Sequence, residues 1–106
     1  MAISLSIQPI GQPPEKAREV PIATMSVFDQ YWMPVARTLA LQWVPRFRTG
    51  TPLRQEDVTS VVQELSAIRK SVEVSAGEDR NVILPRLDRL VTELQSVGAG
   101  VDLYIG

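Results

Sequence analysis

Two periodicities alternate along the chain, and each predicts an element. Residues 2–8 carry Ile3, Leu5 and Ile7 on one side and Ser4, Ser6 and Gln8 on the other. A period of two with one apolar face is a half-buried β-strand. Pro9 ends it, since proline has no amide to give to a ladder. The segment 9–21 holds Pro9, Pro13, Pro14 and Pro21 among charged residues and reads as a proline-rich loop. Within it, EKARE has room for one helical turn before Pro21.

The pattern then takes the helical period. Ser26 is an N-cap candidate, with Asp29 near the positive end of the helix dipole. Phe28, Trp32, Val35 and Leu39 fall on one stripe. Pro34 lacks the amide that would bond to Gln30, so the helix expected over residues 26–40 must kink or restart there. Leu41, Trp43, Pro45 and Phe47 next alternate with Gln42, Val44 and Arg46. This predicts a short strand over 41–47, at a sheet edge because Pro45 cannot donate. Gly50 turns the chain.

TPLRQEDVTSVVQELSAIRKSV is the strongest helical signal. Pro52 suits a first turn, Glu56 and Asp57 sit near the positive end, and Arg69 and Lys70 sit near the negative end. Val58, Val61, Val62, Leu65, Ile68 and Val72 make its apolar stripe. SAGED reads as a loop. A last helix over 81–97 is predicted from Ile83, Leu87, Leu90, Leu94 and Val97, with Asn81 as cap, Pro85 in the first turn and Gly98 and Gly100 closing it. Val101, Leu103 and Ile105 alternate with Asp102 and Tyr104 in a terminal strand.

The expected order is β-α-(β)-α-α-β. Two strands alone are marginal in water, so the terminal strands should join in a small two- or three-stranded sheet with three helices on one face. That is an α+β domain. At 106 residues it is a single one, residues 1–106.

Composition narrows the chemistry. The chain has no cysteine and no histidine, which removes thiolates, disulfides, zinc–thiolate sites and the usual general base. Eleven basic residues against twelve acidic ones, for a net charge of -1, do not supply the basic excess that nucleic acid or an anionic membrane requires. No apolar run approaches the ~20 residues of a membrane span. The N-terminal stretch lacks the basic and apolar regions of a signal peptide, and absence of cysteine fits the cytosol.

Catalysis finds little support. Asp57 and Glu64 lie two turns apart on one helix face, a geometry open to acid–base work. Dipole complementarity and solubility explain Glu56, Asp57 and Glu64 more simply. A nucleophilic serine would need a lysine base, and Lys70 beside Ser71 points to a different side of its helix. No phosphate loop, dinucleotide fingerprint or nucleophile elbow occurs. No catalytic residue, metal ligand or cofactor is expected.

Arg46 and Arg48 flank Phe47, with Arg54 nearby, a pattern that could meet phosphates. Read instead as charge guarding an edge strand, it needs no ligand. Aromatic and arginine side chains also dominate protein-interface hot spots. Tyr31, Trp43, Arg46 and Arg48 are therefore the candidate partner-binding residues, while Phe28 and Trp32 are expected in the core. The leading expectation is a small cytoplasmic, bacterial-type protein that binds a protein partner stoichiometrically, in the manner of an inhibitor or immunity protein. A self-associating subunit, closing a homo-oligomer by strand addition, is the alternative. Nucleic acid, membrane and small-molecule cofactors are not expected partners.

Overall fold

The computed structural model describes residues 2–13, 16–75, 77–98 and 100–106. The chain is α+β, with one open sheet of four antiparallel strands in the order β2-β1-β4-β3. β1 is Ala2–Pro9, β2 Arg18–Thr24, β3 Thr51–Leu53 and β4 Val101–Ile105. Three long helices accompany it. α1 runs head to tail through Met25–Val27, a π-helical stretch Phe28–Trp32 and Met33–Thr38. After the short α2, Val44–Phe47, come α3, Val58–Ser75, and α4, Arg80–Ser96.

The terminal strands pair as their alternation predicts, with Leu5 opposite Ile105 and Ile7 opposite Leu103. This register brings Val20, Leu5, Ile105 and Thr51 into one row across the sheet, all buried. Ile7, Leu103 and Leu53 form the next row. The opposite face carries Glu19, Pro21, Pro52, Asp102 and Tyr104 and is open to water. At its corner Gly50 takes φ +102° and lies under the Tyr104 ring, where any Cβ would strike the phenol oxygen.

Two strands were hidden by their prolines. Arg18–Thr24 is not loop: its proline occupies an exposed position of an edge strand, where no ladder amide is needed. The loop shortens to 10–17, of which residues 14 and 15 lie outside the described residues, so the EKARE turn is tested only by Arg18 and Glu19, which are strand. A register shift between Ile3 and Ser4 brings Ile22 and Ala23 both to the buried side. Pro52 likewise stands in edge strand β3 rather than in a helical first turn, which passes instead to Gln55–Asp57. Both edges of the sheet thus carry a proline.

α1 starts at Met25, with the Thr24 hydroxyl accepting from the Val27 amide at 3.3 Å, so Thr24 rather than Ser26 is the cap. The Pro34 problem is solved by the π-helical turn, in which the Met33 amide reaches the Phe28 carbonyl. Phe28 and Trp32 are buried as expected, their rings 5.5 Å apart. The wider turn shifts the stripe, so Ala36 is buried and Leu39 is 53% exposed.

α3 buries Val58, Val61, Leu65, Ile68 and Val72, with Val62 half-buried. α4 buries Ile83, Leu87, Leu90 and Leu94. It begins at Arg80, preceded by a tight turn Gly77–Asp79 in the expected SAGED loop, whose Ala76 lies outside the described residues. Asn81 is therefore not its cap, and Pro85 stands inside the helix on its exposed side. Ion pairs lace the elements together: Arg18 to Glu93 at 3.1 Å between β2 and α4, and Arg69 to Asp88 at 2.7 Å between α3 and α4.

Candidate functional site

Residues 41–47 do not form a strand. Leu41 to Trp43 are irregular and Val44–Phe47 is a helical turn, with Pro45 at its start, where a missing amide costs nothing. The alternation of Leu41, Trp43, Pro45 and Phe47 is real but is overruled by one side chain. Glu64, reaching from α3, accepts hydrogen bonds from the amides of Gln42 at 3.1 Å, Trp43 at 2.9 Å and Val44 at 3.1 Å. Three successive amides converging on one carboxylate fix the helical turn, and its positive dipole end favours the anion. A ladder would need those amides pointing to alternate sides.

The turn buries Val44 and Phe47 and leaves Arg46 and Arg48 exposed. Trp43 is half-buried, and the Arg46 guanidinium lies over its ring at 4.9 Å from the centroid. A hollow lies on either side of Trp43. One, of about 370 Å3, is bordered by Leu41, Gln42, Ser60 and Gln63. The other, of about 410 Å3, is bordered by Arg46, Thr51, Pro52, Arg54 and Asp57. Trp43 and Arg46 are thus a flat, amphipathic pair on a rigid corner.

The other two candidates sit elsewhere in the bonding. Arg48 is engaged by Asp29 through two hydrogen bonds, at 2.9 and 3.4 Å, which tie α2 to α1. The pair holds the Asp29 carboxyl below the usual carboxylate range. The Tyr31 hydroxyl donates to Asp79 at the α3–α4 connection, and that bond pushes its phenol pKa up. Both are fastenings between elements. Because 41–47 is not a strand, Arg46 and Arg48 do not share one strand face. Arg54 pairs with Glu56 at 3.5 Å, which leaves no cluster of unpaired arginines for phosphates.

The carboxylates weighed for acid–base chemistry are also committed. Asp57 accepts from the Arg54 amide at 3.0 Å as a capping interaction, and Glu64 is the clamp just described. Among the described residues no group of three or more metal-ligating side chains converges, and no helix is long and apolar enough to cross a membrane. Sequence reasoning missed Glu64 as the residue that shapes the site, because its partners are backbone amides that leave no mark on composition. Comparison with protein-family models, curated proteins and solved structures finds no match to this chain.

Proposed function

We propose that this chain is a non-catalytic protein-binding module that acts stoichiometrically, with Trp43 and Arg46 as its anchor. The observation that carries the reading is the stacked pair itself: a half-buried indole under an exposed guanidinium, on a turn pinned by Glu64. Tryptophan and arginine are the side chains that most often concentrate binding energy, and they do so best when held rigid beside hollows a partner can fill. An inhibitor or immunity-type protein is one form of this class. Self-association by strand addition is less favoured, since 41–47 offers no strand and the two sheet edges carry Pro21 and Pro52.

A photo-crosslinking residue placed at Arg46, in the cells that make the protein, tests this. A discrete heteromeric adduct is expected, absent when the crosslinker is moved to Arg89 on α4 and lost with Trp43→Ala. Equal labelling from both positions, or none from position 46, overturns the reading.

A further inference from the structure

A second surface lies one wall away from Trp43. Between the C-terminal half of α1 and the outer side of α3 runs a groove of about 350 Å3, lined by Pro34, Val35, Thr38, Leu39, Ala67 and Ser71. An exposed leucine alone needs no explanation. Here Leu39, at 53% exposure, joins Pro34 and Val35 in a continuous apolar wall, the kind of exposed patch that marks a binding surface.

The charges around the groove say what it would accept. On an α-helix, residues three apart are neighbours, so Arg37 stands one turn from Pro34 and Lys70 one turn from Ala67. Each cation therefore flanks the groove from its own helix, and both are exposed. Among the described residues neither makes a salt bridge, and no carboxylate lines the groove. On a chain of net charge -1, this is a local reversal of sign. The floor continues along α3 from Ser71 through Ala67 and Glu64 to Ser60, where it meets the hollow beside Trp43. At 1.5 Å per residue that path is about 16 Å, three helical turns.

We infer that this groove receives an amphipathic helix of the partner protein, its apolar stripe on Leu39, Val35 and Pro34 and its acidic flanks facing Arg37 and Lys70. Helix-in-groove docking by anchors at helical spacing is a recurrent mode of recognition. A second copy of this chain fits poorly. The outer side of α4 offers Arg80, Arg86 and Arg89, which would set arginine against Arg37 and Lys70. The inference rests on the reading of the chain as a protein-binding module and names the partner's element.

The probe is a labelled, three-turn helical peptide with leucines at i, i+3, i+4 and i+7 and glutamates on both flanks, titrated against the full chain by fluorescence anisotropy. A version with lysine flanks and one with scrambled leucines are the controls. The acidic peptide should bind most tightly. Lys70→Glu and Arg37→Glu should each weaken it about three- to tenfold at low salt, and Leu39→Glu by about tenfold or more. All three positions are exposed, so circular dichroism should report unchanged folding. Amide shifts on adding the peptide should fall on residues 34–39 and 67–71. Absence of binding, equal binding of the lysine-flanked peptide, or shifts elsewhere overturn the inference. The Trp43 reading fails separately: groove binding with no crosslink from position 46 would sink that reading alone, and the reverse result would sink the groove alone.

Discussion

The amide of Trp43 donates to both oxygens of Glu64, at 2.9 and 3.1 Å, across a gap of 21 residues in sequence. The same carboxylate serves the Gln42 and Val44 amides, so one side chain organises the approach to α2 and the platform built on it. Hydrogen bonds to a charged group contribute about 1.5–3 kcal/mol, and partly buried amides left without an acceptor add a desolvation cost. Glu64→Ala should therefore lower the unfolding free energy by about 2–3 kcal/mol. Glu64→Gln should fall between, since its amide nitrogen cannot accept. Urea denaturation followed by tryptophan fluorescence measures both. A Glu64→Gln protein of undiminished stability would return Glu64 to the list of chemical groups and remove it from the list of structural ones.

α1 ends in a Schellman motif whose left-handed residue is not glycine. Leu41 donates to the Ala36 carbonyl at 2.9 Å and Ala40 to the Arg37 carbonyl at 3.4 Å, with Ala40 at φ +53°. The methyl group of Ala40 is out of place in that conformation, which costs roughly 1 kcal/mol for an L-residue and nothing for glycine. Ala40→Gly is expected to stabilise the protein by about 0.5–1 kcal/mol, after the extra freedom of the unfolded glycine is set against it. Thermal melting should show the gain as a rise of several degrees. A fall in melting temperature would mean that this turn is not held as described. The same motif explains Leu39, which sits at the cap, where the chain leaves the helical path and the side chain is turned to solvent.

The fold class was legible where hydrophobic period met no proline. Ile3, Leu5 and Ile7 against Leu103 and Ile105 announced the central strand pair. The Val61–Leu65–Ile68–Val72 and Leu87–Leu90–Leu94 stripes announced α3 and α4. Each error has a proline or a backbone partner behind it. Pro21 and Pro52 masked two edge strands, because a residue that cannot donate is harmless where the ladder ends. Pro34 was placed correctly as a disturbance, but a π-helical turn and a kink look alike in sequence, and only the first moves Leu39 out of the core. Pro45 was read as the mark of a strand edge when it opens a helical turn. In the candidate site, Trp43 and Arg46 were singled out by residue type alone and come together in space. Tyr31 and Arg48 were chosen on the same ground, and they fasten α1 to its neighbours. Nothing in composition distinguishes an arginine over an indole from one clamped by an aspartate, since that depends on which helix face Asp29 occupies.

Those fastenings predict how stability follows pH. Asp29 is held below its ordinary value chiefly by its hydrogen bonds with Arg48, and Asp88 by those with Arg69. A carboxyl whose folded pKa is depressed binds its proton more weakly in the folded chain than in the unfolded one. The contribution of each pair is thus complete above the unfolded value of about 3.9 and is lost as pH falls through the lower folded value. Tyr31 runs the other way. Its hydrogen bond to Asp79, then burial, raises the phenol, so its contribution is present below about pH 10 and is lost as pH rises through the raised folded value. All of these groups are exposed enough for solvent and salt to screen them, so the expected slopes are shallow. Melting temperature measured across the acid range should decline less steeply in Asp29→Asn with Asp88→Asn than in the wild type, and added salt should narrow the difference. On the alkaline side, the difference in phenolate absorbance between wild type and Tyr31→Phe isolates one tyrosine, with a midpoint expected above 10.0. A midpoint at or below that value would show that the Tyr31–Asp79 bond does not persist in solution, and with it the tie between α1 and the α3–α4 connection.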